Sequence, residues 1–328
     1  MVTIIVHKSC CLRLLTGVLL FDRNIECLDC YSKKRHGKCQ DIRYKRACWK
    51  LERRCYLGED TLKDFLERKE KGELTVQKTG YLKQNILREV NLSVSRGGSV
   101  CFGDVVMLVN VGGSNRDHCA ISINADITSL GKGPSAAIQS PCGVSGGKSL
   151  QPCTRIAFVI HSVDGSAEGE PLHYEQSFTL STTTGFAGGL YLTSDHKTFQ
   201  KCAKMSRLQE VNLDQQASFL AWWKIVHFDP QERLEHEGLP VPANTKVLIS
   251  HCKTNHALAV LGDHILWTPY GREYEVVAQT FLDSHKAERD VNHWLLVTSD
   301  PAGEGLTLLE RPQTQTLATD LQQADTVS

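Results

Sequence analysis

Hydrophobic residues recur at every second position in the C-terminal part of the chain, within residues 244–300. Val247, Ile249 and His251 fall on one face of an extended strand, because successive side chains of a strand point to opposite faces. Three further short runs of strand-forming residues begin at Leu258, Glu275 and Trp294. Residues typical of turns separate the four runs. The pattern predicts four short β-strands and no helix in this region.

The same arrangement recurs twice upstream. The opening strands carry the apolar pairs Val106/Leu108, Phe178/Leu180 and Val247/Ile249. An aspartate follows the second strand, in nearly equal steps, at Asp126, Asp195 and Asp263. An aromatic residue opens the closing strand at Phe158, Trp223 and Trp294. Three landmarks that share a spacing of about 70 residues predict an all-β fold, a β-trefoil with three four-stranded lobes over residues 99–299.

The third copy resembles a MIR-type trefoil lobe. The residues that carry this resemblance are Val247-x-Ile249-x-His251-x-x-Thr254, then Tyr270-Gly271-x-Glu273, then Asn292-x-Trp294-x-x-Val297. Together with residues 63–67 (KDFLE), 103–110 (GDVVMLVN) and 238–244 (GLPVPAN), they make the chain similar to the cilia- and flagella-associated protein 161 family over residues 58–300.

This resemblance implies a structural role. It implies a microtubule inner protein that binds the lumenal face of axonemal doublet microtubules and supports ciliary or flagellar motility. The implied partners are the tubulin lattice and neighbouring microtubule inner proteins. The implied location is the cytoskeleton of the cytoplasm, in the axoneme of motile cilia or of a sperm flagellum.

Residues 58–98 are predicted to form a short helix followed by an extended arm. Leu62, Phe65 and Leu66 make one apolar stripe on a helix of about three turns that Gly72 ends. A helix this short is not stable alone, so the stripe must be buried against the barrel or against a partner. The predicted partner-binding residues are Leu62, Phe65, Leu66, Lys78, Tyr81, Leu82, Lys83 and Arg88. The alternative is that the whole segment covers one end of the barrel.

The two ends of the chain lie outside the repeats. Seven of the thirteen cysteines fall in the first 55 residues, and a zinc site there would use Cys27, Cys30, His36, Cys39 and Cys48. A single Cys-x-x-Cys pair is a weak signal, so residues 1–57 are instead interpreted as a basic, cysteine-rich segment that is disordered or foreign to the family. Residues 300–328 are polar, lack aromatic residues and are predicted to be disordered.

Composition narrows the class of partner. The chain has 328 residues, of which 41% are hydrophobic, and its formal net charge is zero. Nucleic acids and anionic membranes usually select a basic surplus, so neither is an expected partner. The apolar run at residues 14–21 is too short to span a membrane and lacks a signal-peptide cleavage site, which favours a soluble protein. The cysteines beyond residue 55 show no paired spacing and are expected to be reduced.

Two features of the sequence resemble parts of cofactor sites, namely a Gly-Lys-Ser sequence and a group of histidines. Gly147-Lys148-Ser149 fits the end of a phosphate-binding loop, but Cys142 stands where the first glycine belongs and no apolar strand precedes it. Residues 131–151 are therefore predicted to be a flexible loop without nucleotide. The third lobe contains five histidines, namely His251, His256, His264, His285 and His293. They lack helical spacing and nearby carboxylates, which favours hydrogen-bonded histidines over a metal site.

Three classes of function are to be distinguished, namely enzyme, ligand-binding module and structural protein. No nucleophile with a base, close carboxylate pair or metal triad is recognisable, so we expect no enzyme and no cofactor. A ligand- or carbohydrate-binding trefoil is the alternative to a structural protein. The Gln-x-Trp motif typical of lectin trefoils is replaced by Asn292-His293-Trp294, Ala221-Trp222-Trp223 and Ile156-Ala157-Phe158. The absence of the glutamine favours the structural role.

Overall fold

The computed structural model describes residues 60–95, 97–112, 118–131, 133 and 136–299. The chain divides into two compact units, residues 1–74 and residues 75–328. The first unit is described from residue 60 onward. The predictions for residues 1–57, including the zinc ligands, and for residues 300–328 lie outside the described residues.

Three α-helices are present in the described residues. Helix α1 covers residues 60–70, and Gly72, at a φ of 71°, follows it as predicted, because glycine adopts this left-handed conformation without a steric penalty. Helix α2 is Thr75–Ile86 and α3 is the single turn Arg233–His236. No helix in this part of the chain has the length and hydropathy needed to cross a membrane.

The rest of the described chain is mainly β-strand. The strands are β1 (Val105–Asn110), β2 (Cys119–Asn124), β3 (Cys142–Gly147), β4 (Ala157–Ser162), β5 (Ser177–Thr182), β6 (Tyr191–Ser194), β7 (Val211–Asp214), β8 (Trp222–His227), β9 (Lys246–His251), β10 (Leu258–Thr268), β11 (Gly271–Ala278) and β12 (Trp294–Val297). The four strands predicted for the third copy correspond to β9–β12. All twelve belong to one hydrogen-bonded sheet.

Six of these strands close into a ring. Strand β1 pairs with β4, β4 with β5, β5 with β8, β8 with β9, β9 with β12, and β12 returns to β1, always antiparallel. The other six form the hairpins β2–β3, β6–β7 and β10–β11. Strand β3 also pairs with β7 and with β11, which joins the three hairpins. Each sequence copy thus supplies two ring strands and one hairpin.

The core lies inside the ring because side chains alternate along its strands. The six predicted apolar residues of the opening strands are all fully buried in one cluster. The closing aromatic residues Phe158, Trp223 and Trp294 belong to the same cluster. The indole nitrogen of Trp223 donates to the carbonyl of Leu192 at 2.8 Å, and that of Trp294 donates to Leu258 at 2.9 Å. Each tryptophan therefore ties the closing strand of its lobe to the second strand.

One landmark departs from the prediction. Strand β10 shifts register between Leu261 and Ile265, and Asp263 lies in this irregular stretch. The aspartate was predicted to follow the second strand. In the third copy the strand continues past the irregularity to Thr268, whereas Asp126 and Asp195 do follow strands β2 and β6.

The predicted extended arm is wrong over residues 75–86, which form helix α2. Leu82 and Ile86, four residues apart, are buried in the main core cluster. Only after the helix is the chain extended, where the amide of Ser93 donates to the carbonyl of Val105 at 2.9 Å. The compact unit that contains the barrel thus begins at Thr75 and not at residue 99.

The buried tryptophans make a first prediction. Trp223→Ala or Trp294→Ala should lower the free energy of unfolding by about 3–5 kcal/mol, because each removes a large, fully buried aromatic side chain. Chemical denaturation followed by circular dichroism measures this loss. The matched control is Trp267→Ala, whose side chain is 82% exposed and whose loss should cost under about 0.5 kcal/mol. Equal unfolding curves for the three variants would contradict the assignment of the closing aromatics to the core.

Candidate functional site

The predicted partner-binding residues of α1 form an exposed apolar stripe. Leu62, Phe65 and Leu66 are 46%, 47% and 45% exposed. Their spacing of three and four residues places them on one face of the helix. The i, i+4 ion pair Asp64–Arg68, at 3.8 Å, lies on the same helix, and Glu67 pairs at 3.9 Å with Lys71, which directly follows the helix. Large apolar side chains this exposed are typical of an interaction surface.

The predicted residues beyond α1 belong to the other compact unit and divide into two groups. Leu82 is buried in the core, so its prediction as a partner contact is corrected. Tyr81 packs edge-on against Phe186, with ring centroids 5.6 Å apart, and donates to the carbonyl of Ala136 at 3.3 Å. These two residues attach α2 to the barrel. The cationic residues Lys78, Lys83 and Arg88 are exposed, and their predicted role stays a prediction.

A charged cleft of about 230 Å³ lies beside strands β8 and β9. It forms because Trp223 and Ile225 point into the core, which turns Lys224 and Val226 outward. The Lys224 ammonium lies 2.6 Å from the Glu175 carboxylate. The guanidinium of a second lining residue, Arg233, lies 2.6 Å from Glu288. Because each charge has its counter-charge, the cleft suits a small polar ligand better than a free ion.

A cluster of His227, Glu232 and His236, named here the histidine cluster, lies next to this cleft. One potential ligand atom from each residue lies within 4.8 Å of the other two. Arg233 connects the cluster to the cleft, because its Nε donates to the carbonyl of His227 at 3.0 Å. The sequence interpretation missed this cluster. The available signal was the i, i+4 spacing of Glu232 and His236 after Asp229-Pro230.

The glycine-rich motif packs against a buried ion pair. Residues 142–147 are strand β3 and not the predicted flexible loop. A Cβ on Gly147 would lie only 2.5 Å from the Ser122 hydroxyl and 3.2 Å from the Glu273 carboxylate. Glycine therefore leaves room for a buried ion pair between Glu273 and Arg155.

This ion pair is bidentate and almost completely buried. Arg155 Nη1 and Nη2 donate to the two oxygens of Glu273 at 2.6 and 2.7 Å. The Ser145 hydroxyl also donates to Glu273, at 2.7 Å, and Arg155 Nε donates to the carbonyl of Ile123 at 2.9 Å. The guanidinium lies 3.8 Å from the centroid of the Tyr270 ring. Such satisfied geometry offsets the desolvation of two buried charges.

In the described residues, the group of side chains that could hold a metal ion is the histidine cluster. None of the five histidines of the third lobe belongs to it. His251 is fully buried, and its two ring nitrogens lie 2.9 Å from the Thr254 hydroxyl and 3.0 Å from the carbonyl of Leu220. Because the carbonyl can only accept, Nε2 carries the proton that is donated to Leu220. Burial lowers the pKa of His251. His251 is hydrogen-bonded as predicted, to Thr254 within its own lobe, and it is also bonded to Leu220 of the second lobe.

The described residues are mostly β-strand, with a short N-terminal helix that carries exposed apolar side chains. Residues 78–299 match the cilia- and flagella-associated protein 161-like domain. The chain belongs to this family, as the sequence resemblance predicted.

Named relatives agree with the family assignment. The chain is 52% identical to cilia- and flagella-associated protein 161 of Danio rerio over 287 residues, which cover 85% of this chain and 94% of the relative. The Bos taurus protein of the same name is 42% identical over 270 residues, covering 79% and 82%. The solved SDF2-like protein from Arabidopsis thaliana aligns with a TM-score of 0.43 at 15% identity over 60% of this chain and 93% of that chain. That structural similarity is too low to carry an argument.

The buried ion pair leads to a second prediction. Arg155→Met should lower the free energy of unfolding by about 3–5 kcal/mol, because it leaves Glu273 buried without its counter-charge. The double variant Arg155→Met/Glu273→Leu should lose less of the free energy of unfolding than Arg155→Met does, because neither buried charge remains. Lys253→Met breaks a partly exposed ion pair with Asp195 and should cost under about 1 kcal/mol. Urea denaturation at pH 7 compares the variants, and additive effects of the two core substitutions would count against the pairing.

The depressed pKa of His251 leads to a third prediction. The unfolded chain, with a histidine pKa of about 6.5, takes up a proton at a higher pH than the folded chain does. The contribution of His251 to the free energy of unfolding is therefore present above about pH 6.5 and is lost as the pH falls through the lower folded pKa. Urea denaturation at pH 7.5 and at pH 5.5 measures the free energy of unfolding. Between these two pH values it should fall less for His251→Gln than for the unsubstituted protein. An equal loss would contradict the role of His251.

Proposed function

We propose that the protein is a structural microtubule inner protein, located in motile cilia or flagella and bound to the lumenal face of axonemal doublet microtubules. Membership of a family named for association with cilia and flagella supports the location. The exposed stripe of Leu62, Phe65 and Leu66 is the observation that carries the binding role. The proposed partners are the tubulin lattice and neighbouring inner proteins, without nucleic acid, membrane or enzymatic chemistry.

We also infer that the barrel is a β-trefoil of the MIR type. The support is its three-part construction, in which each copy gives two strands to a closed ring and one hairpin to a joined set of three. The equivalent indole hydrogen bonds of Trp223 and Trp294 support the same repeat. Each of the six ring strands is paired on both sides, so a strand of another molecule cannot add to the ring. A lattice component of this kind must attach through other surfaces.

The stripe on α1 provides such a surface. Docking of an amphipathic helix into an apolar groove is a recurring mode of protein recognition, and anchors spaced by three and four residues are its usual pattern. In the other compact unit, the exposed cations Lys78, Lys83 and Arg88 are separate charges that can orient an acidic partner. Repetition of the lattice would strengthen a modest contact through multivalency.

A ligand- or carbohydrate-binding module is the second candidate, and the cleft beside β8 and β9 is the observation that favours it. Its charged groups already form ion pairs at 2.6 Å. A bound ligand would have to compete with these pairs or fit around them. The structural role therefore ranks first.

The fourth prediction tests α1 as the anchor. A tagged full-length chain with Leu62→Glu, Phe65→Glu and Leu66→Glu should be released from isolated axonemes by a salt wash that leaves the unsubstituted chain bound. Three charged residues on the stripe would oppose its burial in an apolar groove. Immunoblotting of the pellet and supernatant fractions measures retention.

Val76→Glu is the matched control, because it makes the same kind of change at a side chain that is 83% exposed on α2. This variant should stay bound. Equal retention of the triple variant would remove α1 as the anchor, whereas failure of the unsubstituted chain to associate with axonemes would overturn the proposed function.

A further inference from the structure

Residues 196–207, named here the lysine loop, lie between strands β6 and β7 of the second copy. The loop has the sequence HKTFQKCAKMSR, without aspartate or glutamate. Its cationic residues are all exposed and are Lys197, Lys201, Lys204 and Arg207. In the part of the chain that the structure describes, none of them forms an ion pair with a carboxylate. Their charge is therefore available to a partner.

A buried carboxylate of the barrel holds the backbone of the lysine loop. Glu275, in strand β11, is 3% exposed, and its two oxygens accept the amides of Met205 and Ser206, each at 2.8 Å. Ala203 is buried in a small apolar cluster of the barrel, and its amide donates to the carbonyl of Leu208 at 2.9 Å. A loop fixed in this way loses little conformational entropy when a partner binds.

The lysine loop also exposes apolar side chains. Phe199 is 98% exposed and Met205 is 56% exposed. The turn that carries Phe199 is closed by two hydrogen bonds of 2.9 Å between Thr198 and Lys201. Aromatic side chains held in place are frequent anchors in protein interfaces. The loop thus combines charges that attract a partner with an aromatic side chain that adds affinity.

The rest of the domain favours a short acidic segment over a long polyanion. Residues 75–299 contain 19 lysine and arginine residues and 21 aspartate and glutamate residues. The lysine loop is therefore a local positive surface on a slightly acidic domain. A nucleic-acid strand or an anionic membrane usually selects a basic surplus over the whole binding domain. A protein segment can place its acidic residues opposite the loop and neutral residues elsewhere.

We propose that the lysine loop binds a carboxylate-rich segment of a partner protein. The amines of Lys197, Lys201 and Lys204 pair with acidic side chains of this segment, and Phe199 is covered by one of its apolar side chains. The proposal concerns the barrel and does not depend on the proposed role of α1.

Carbodiimide coupling of the full-length chain tests the proposal, because it joins a carboxylate to a lysine amine where the two groups meet. The probe is a short synthetic peptide in which glutamates surround a central leucine. Mass spectrometry compares coupling at Lys197, Lys201 and Lys204 with coupling at Lys286, an exposed lysine outside the loop. Because each lysine is measured separately, binding of the probe to the basic residues 33–54 does not obscure the result.

The reactivity of each lysine is corrected by its coupling to N-acetylglutamate. The corrected coupling at the loop should exceed that at Lys286 at least about tenfold, since several weak ion pairs act together. Raising the salt from about 0.1 M to about 1 M should abolish this difference, because the Debye length falls from about 10 Å to about 3 Å.

Phe199→Ala keeps every cation of the loop and should lower loop coupling at least about threefold, because the leucine of the probe loses its aromatic contact. Trp267→Ala is the matched control, because it removes an aromatic side chain that is 82% exposed outside the loop. This control should couple as the unsubstituted chain does. Both side chains are exposed, so both variants should keep the melting temperature of the unsubstituted chain.

Competition distinguishes the classes of partner. At equal concentration of negative charge, the unmodified glutamate peptide should suppress coupling of the probe more than oligouridylate or phosphatidylserine vesicles do. Stronger suppression by the oligonucleotide or the vesicles would overturn the assignment to a protein segment. Corrected coupling at the loop no greater than at Lys286, or unchanged coupling in Phe199→Ala, would overturn the proposal as a whole.

Discussion

Closure of the ring between β1 and β12 is the constraint on which the rest of the barrel depends. Strand β1 opens the first copy and β12 closes the third, so their pairing joins the two ends of the repeat. The Asn110 amide reinforces the junction by donating to the carbonyls of Val291 and His293 at 3.0 and 2.9 Å. Without this junction both strands would be open sheet edges, and the core would lose one wall. The three copies therefore stabilise one another, and a single copy leaves its apolar face uncovered.

The hairpins require a second long-range link, which Arg155 and Glu273 provide. Arg155 precedes β4 in the first copy and Glu273 lies in β11 of the third, so the ion pair connects two copies away from the ring junction. Gly147 cannot carry a side chain without displacing a neighbour, because a Cβ there would lie 2.5 Å from the Ser122 hydroxyl and 3.2 Å from the Glu273 carboxylate. The glycine of Gly147-Lys148-Ser149, a sequence that resembles part of a phosphate-binding loop, is in this fold required by the packing of strand β3.

The sequence predicted the strands well and the attached segments poorly, for physical reasons. In the opening ring strands, apolar residues two positions apart share the main core cluster, and the closing aromatics Phe158, Trp223 and Trp294 mark equivalent core positions. Helix α2 gives a weak signal because Leu82 and Ile86 are its only buried residues, and Gly80 lowers its helix propensity. Its helical form depends on contact with the barrel core. The histidine cluster escaped notice because a turn brings His227 back against α3, and the sequence does not encode that return as a periodic pattern.

Several charged side chains on the barrel surface already form ion pairs with one another. Lys224 pairs with Glu175, Arg233 with Glu288 and Lys253 with Asp195, each within 3 Å. Paired charges of this kind are screened and already satisfied, so they add little affinity for another protein. Burial of the large apolar side chains of α1 would favour binding by roughly 25 cal/mol for each Å² that is removed from water. The exposed apolar side chains of α1 can therefore contribute more to binding, if they are buried, than these paired surface charges can.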